Sequence, residues 1–140
     1  GAARLMSGDL EINHLLEEEI AQLKSKEAAL TFGSGYLANT GIIPALAGRG
    51  DLIIADRLSH ASIYDGCMLS GARTIRFRHN DLEHLEQILH EKRNEFNRAL
   101  VVVESIYSMD GDRCPLADLV SLKKRYSFLL MVDEAHATGL

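Results

Sequence analysis

The stretch Asp133-Glu134-Ala135-His136 closes an apolar run, FLLMV (128–132), and sets an acid and an imidazole three residues apart where a strand should end. A carboxylate there has two uses. It can position a magnesium ion on a nucleotide, or it can hold a proton on a ring nitrogen of an organic cofactor. His136, at that spacing, can come back over the same site. Three other places carry comparable chemistry. Gly33-Ser34-Gly35, followed by Tyr36, is a glycine turn opening a helix, where backbone N–H groups and the helix dipole suit an anion. His60, in LSHAS (58–62), offers a flat ring and a hydrogen bond. Glu104 and Ser108 lie in the loop after ALVVV (99–103), which reads as the best buried strand of the chain.

The elements that must position these groups follow from apolar periodicity. Ile12, Leu15, Leu16, Ile20 and Leu23 recur at helical spacing, with Asn13 as the expected cap and Glu17, Glu18 and Glu19 toward the positive end of the dipole. A second helix is expected from Tyr36 to Ala47, and a third over 59–71, ended by Gly71. Asn80 with Glu83 resembles a capping box ahead of Leu82, Leu85, Ile88 and Leu89. Pro115 should be the first residue of a last helix. Between these helices lie expected strands at 51–56, 74–77, 99–103 and 128–132. Alternating strands and helices make an α/β fold with a mostly parallel sheet flanked by helices. In such sheets ligands collect beyond the carboxyl ends of the strands, where the polar residues named above fall.

Composition narrows the function classes. The 140 residues are 46% hydrophobic and 25% charged, with a formal net charge of −5, so no basic footprint for nucleic acid is visible. No run approaches 18 apolar residues, which argues against a membrane partner. Cys67 and Cys114 have no second Cys or His at ligand spacing, and reduced thiols in a cytoplasmic protein are expected. His14, His79, His84 and His90 form no metal pattern and are expected at the surface. Asp110 and Asp112, in SMDGD, read as turn residues. The Asp-Glu-Ala-His stretch also matches the acidic segment of DEAH-type helicases. That segment needs a phosphate loop ending in Gly-Lys, and no Gly-Lys dipeptide occurs among the five lysines.

Five segments in order decide the other reading: GSGYLANTG (33–41), ADRLSHASIYDG (55–66), RFRHND (76–81), ESIYSMDGD (104–112) and VDEAHATG (132–139). Together they resemble the α-oxoamine synthases, fold-type-I pyridoxal 5′-phosphate (PLP) enzymes with the aspartate-aminotransferase-like large domain, and most of all the biotin-pathway branch. The resemblance implies that Asp133 pairs with the cofactor's ring nitrogen and that His136 bonds its phenolic oxygen. By the same resemblance His60 stacks on the ring and meets the substrate as the catalytic histidine. Gly35 and Tyr36 would receive the phosphate, with Glu104 and Ser108 near the cofactor and Asn39 a neighbour with either a structural or a functional role.

The implied reaction joins an amino acid, L-alanine in the biotin branch, to an acyl thioester such as pimeloyl-CoA or its carrier-protein equivalent, with decarboxylation. A homodimer is implied. Relatives in the family take other amino acids and acyl chains. A non-catalytic protein on the same fold is the remaining alternative. Residues 1–140 are expected to be the central portion of the large PLP-binding domain, with the Schiff-base lysine beyond Leu140, so that these residues alone would be inactive.

Overall fold

The computed structural model describes residues 3–138; Gly139, the last residue of the VDEAHATG segment, lies outside them. The chain divides into two compact units, Gly1–Ser34 and Gly35–Leu140.

The first unit holds one π-helical turn, Arg4–Gly8, and helix α1, Glu11–Leu23. Helix α1 corrects one expectation. Its cap position is Leu10, and Asn13 lies inside the helix, donating to the Gly8 carbonyl at 3.1 Å. Along its apolar stripe Ile12 is 65% exposed and Leu23 78%, while Glu17 and Ala21 are buried. Glu17 is buried because it is fully partnered. It accepts from the Thr31 N–H at 2.7 Å, from the Thr31 hydroxyl at 2.9 Å and from the Arg4 guanidinium. The guanidinium first, then Thr31, hold its carboxyl down at about 2.

The second unit carries helix α2 (Gly35–Leu46), strand β1 (Leu52–Asp56), α3 (Ala61–Ser70), β2 (Arg73–Phe77), α4 (Leu82–Lys92), β3 (Ala99–Glu104), α5 (Leu116–Tyr126) and β4 (Leu129–Asp133). All strand pairs are parallel, in the order β2-β1-β3-β4. β1 and β3 are buried along their whole length, as continuous apolar runs in a doubly covered parallel sheet should be.

Alternation along the strands gives the sheet two faces. Ile53, Ala55, Leu100 and Val102 pack with Ile43 of α2, with Ala47 just after it, and with Ile63 and Cys67 of α3. Leu52, Ile54, Val101 and Val103 pack with Leu85, Leu89, Leu119 and Leu122 of α4 and α5. The chain passes from β1 out to β2 and then back across β1 to β3, so the strand order reverses between β1 and β3. Such a reversal opens a crevice at the carboxyl ends of those two strands.

Two helix caps differ from expectation. The cap of α4 is Asp81, whose carboxylate accepts from the His84 N–H at 2.9 Å. Asn80 is instead left-handed (φ 51°) and turns its amide toward Asp112. Pro115 is the cap of α5 and not its first residue, a shift of one position. The end of α3 is as expected: Gly71 takes φ 69°, which a glycine adopts without strain.

Candidate active site

Period-two alternation decides which polar residues meet beyond the strand ends. Glu104 and Asp133 are register partners at the ends of β3 and β4. Each continues the row facing α2 and α3, so both carboxylates emerge on that side of the sheet. The loop after β1 returns over the crevice with His60, whose backbone N–H donates to Glu104 Oε1 at 2.5 Å. That bond spans the β1/β3 reversal point. Glu104 is buried, and burial pushes its carboxyl above the ordinary range; the His60 N–H opposes the rise and the nearby Asp133 adds to it.

Asp133 is held on both oxygens. Oδ1 accepts from the Ala135 N–H and Oδ2 from the Asn39 side-chain amide, each at 2.9 Å. Asn39 comes from α2 and is buried. Its amide also reaches the hydroxyl of buried Ser62 at 2.9 Å, and that hydroxyl lies 2.7 Å from Nδ1 of His60. Gly35, Tyr36, His60, Glu104, Asp133 and His136 all line one hollow of about 140 Å³. A larger hollow of about 420 Å³, around Arg93, Arg125 and Ser127, lies at the opposite ends of the strands and carries no comparable set of acids and bases.

Of the expected site residues, six therefore converge. Ser108 does not line the hollow; it sits exposed on the turn after β3. Tyr36 is half exposed and its hydroxyl donates to Asp65 at 2.8 Å, leaving its backbone in the first turn of α2. Asn39 and Ser62 are the residues that sequence reasoning undervalued or missed. Each is a buried polar side chain in a helix facing a sheet, and only a partner distant in sequence explains that.

His79 also departs from expectation. It is no plain surface residue: Nδ1 bonds Asp56 at 2.9 Å, Nε2 bonds Asp112 at 2.8 Å, and its ring meets buried Tyr107 edge-on. Burial disfavours charge on the ring, but the two carboxylates outweigh it and raise the His79 pKa. His79, Asp110 and Asp112 lie close enough to suggest a metal site. Both ring nitrogens are already committed to carboxylates, so the cluster works as a clamp between β1 and the loop after β3.

The hollow suits PLP on its donor set. A carboxylate with fixed orientation stands at a strand end, and an imidazole stands on the neighbouring loop. The amino end of α2 opens at Gly35, where an added Cβ would meet nothing within 4 Å among the described residues, so their packing does not require the glycine there. Space at a helix amino terminus is what a phosphate needs.

A parallel α/β sheet with this site at its reversal point is the architecture of fold-type-I PLP enzymes. The chain belongs to the aminotransferase class I and II family, whose pattern matches residues 2–140. It is 56% identical over all its 140 residues to the 8-amino-7-oxononanoate synthases of Geobacter sulfurreducens and Geotalea daltonii. It spans 36% of the length of each. Serine palmitoyltransferase from S. paucimobilis, solved with PLP and myriocin bound, superposes with a TM-score of 0.93 at 40% identity, over 98% of this chain and 35% of that one. The 8-amino-7-oxononanoate synthase of Francisella tularensis gives a TM-score of 0.78 at 31% identity, over 91% of this chain and 35% of its own. Both Cys67 and Cys114 are free and buried, and among the described residues no helix is long and apolar enough to cross a membrane.

Proposed function

We propose that the full-length protein carrying these residues is a PLP-dependent C-acyltransferase. It joins L-alanine to a pimeloyl thioester, on CoA or a carrier protein, and releases CO₂ and the thiol to give 8-amino-7-oxononanoate. It works as a cytoplasmic homodimer. These residues form the central part of its large domain. The observation that carries the reading is the doubly bonded Asp133 carboxylate at the end of β4, facing the same hollow as His60 and the open start of α2. The 56% identity to synthases of that name supports this choice among acyl and amino-acid substrates.

When bound, PLP supplies an electron sink for the pair released at the amino acid's Cα. Asp133 keeps a proton on the ring nitrogen, because Asn39 and Ala135 orient its carboxylate. The first turn of α2, at Gly35 and Tyr36, receives the phosphate. His60 would lie against the ring and offer a hydrogen bond to the substrate. His136 would hydrogen-bond the phenolic oxygen, while Ser108 stays outside the hollow that these residues form. Glu104 fixes the His60 loop through its backbone N–H. The covalent anchor, a lysine, lies outside residues 1–140.

The test is Asp133→Ala in the full-length protein. Stripping one partner from such an ionic pair typically costs ~3–5 kcal/mol. The variant should lose cofactor absorbance and turn over L-alanine with pimeloyl-CoA at least a hundredfold more slowly. Undiminished activity would remove Asp133 from the site. A wild-type protein that prefers L-serine and a long-chain acyl-CoA would move the assignment to the serine palmitoyltransferase branch. One that binds PLP without turning over any such pair would make it a non-catalytic member.

A further inference from the structure

The Asp133–Asn39–Ser62–His60 chain has a direction, and the direction follows from donor and acceptor chemistry alone. The Asp133 carboxylate accepts only, so Asn39 must present its NH₂ group to Oδ2. That nitrogen carries two hydrogens, and the second points to Ser62 Oγ at 2.9 Å. Ser62 Oγ is therefore an acceptor toward Asn39, with its own hydrogen free to turn to His60 Nδ1 at 2.7 Å. A second donor agrees independently: the Ser62 backbone N–H, which can only donate, caps α3 by pointing at the same Nδ1 at 3.2 Å. Two donors facing one nitrogen leave no place there for a ring proton. Asn39 and Ser62 are 5% and 1% exposed, so water does not compete for these bonds.

We propose that Asn39 and Ser62 are positioning residues that couple Asp133 to His60, fixing the His60 imidazole with its proton on Nε2 and presenting that N–H to the hollow. The proposal deepens the PLP reading and rests on it for its catalytic meaning. The tautomer itself does not depend on cofactor or reaction. Its consequence is that His60 meets the ligand as a donor, suited to a carbonyl or carboxylate oxygen. The carboxylate held at the far end of the chain sets that polarity.

The experiment uses full-length protein with ¹⁵N-labelled histidine, with and without added PLP, as wild type and as Ser62→Ala, Ser62→Thr and Asn39→Ala. The His60 signals are assigned by comparison with a His60→Gln variant. In the wild type, Nδ1 should be unprotonated and Nε2 protonated. Ser62→Ala and Asn39→Ala should each give mixed tautomers, and Ser62→Thr, which keeps the hydroxyl, should restore the wild-type pattern. Asn39→Ala should also shift the cofactor absorbance band through Asp133, whereas Ser62→Ala should leave that band in place. With substrates, Ser62→Ala should lower kcat/KM about tenfold, the size of one hydrogen bond of about 1.4 kcal/mol, with Ser62→Thr recovering most of it.

A protonated Nδ1 in the wild type overturns the proposal. So do Ser62→Ala or Asn39→Ala proteins that are folded by circular dichroism and keep the wild-type His60 signals. Failure of the wild type to take up PLP overturns the proposed function instead, and the nitrogen signals of the cofactor-free protein still decide the tautomer.

Discussion

Gly66→Ala tests whether the fit of α2 against α3 sets the geometry of the site. In an ordinary exposed helix this substitution stabilises by about 1 kcal/mol, because alanine is the better helix former. Here the sign should reverse. A Cβ at Gly66 would lie 2.7 Å from the backbone oxygen of Asn39, and 3.0 and 3.2 Å from two side-chain atoms of Ile43. The Ile43 tip can turn away, but the Asn39 oxygen belongs to the α2 backbone, so the helices themselves must part. Reaching ordinary contact near 3.4 Å takes roughly 0.7 Å of movement.

Overpacking of this kind costs about 1–3 kcal/mol. After the gain in helix propensity, a net loss of about 1 kcal/mol remains. Ser62 stands one helical turn before Gly66 on the same face, so the same movement stretches the 2.9 Å Asn39–Ser62 bond toward ~3.6 Å, beyond hydrogen-bonding range. Urea unfolding of full-length wild type and variant, followed by circular dichroism, should show a lower midpoint with an unchanged slope, and kcat/KM should fall with it. A midpoint equal to or above the wild type would refute the reasoning, because it would mean that the helix contact at Gly66 has slack.

Three further outcomes follow from other parts of the structure. The raised pKa of His79 means that the charged ring binds Asp56 and Asp112 more tightly in the folded state. Its contribution to stability should be complete below about pH 6.5 and be lost as pH rises through the higher folded value; urea midpoints across pH 6–9 should fall in the wild type and flatten in His79→Gln. Glu17 behaves oppositely: its carboxyl, held down at about 2, contributes above its usual value near 4.5 and loses that contribution as pH falls toward 2. The protection factor of the Thr31 amide should accordingly fall with acid and in Glu17→Gln. Burial pushes the Cys114 thiol up to about 12 and raises Cys67 as well, so neither should react with a thiol reagent at pH 7.5 until the protein is unfolded; prompt native-state labelling would contradict their burial.

The sequence by itself determined the alternation of strands and helices and the carboxyl ends of the strands to within one residue, and it named six residues that line one hollow. Runs such as ALVVV announce buried strands because a doubly covered sheet is apolar on both faces, and Gly71 announces a helix end because it takes a left-handed conformation there. Asp133, His60 and Glu104 were legible because polar residues directly after such runs must emerge at one edge of the sheet. What only the tertiary structure decided is which distant residues meet. The strand order, with its reversal between β1 and β3, brings the His60 N–H onto Glu104 across 44 residues, and Asn39 onto Asp133 across 94. Asn80 reads locally as a helix cap yet turns to Asp112, and His79 reads as a surface histidine yet clamps two carboxylates. Helix α1 shows the converse: Ile12 and Leu23 recur at helical spacing yet stay exposed, and the buried side chain is Glu17, held by Arg4 and Thr31. Periodicity records only which face of a helix or strand a residue occupies. A hydrogen bond between residues far apart in the chain leaves no periodic mark, because the strand order and the helix contacts that bring its two ends together are set by the packing of the whole fold.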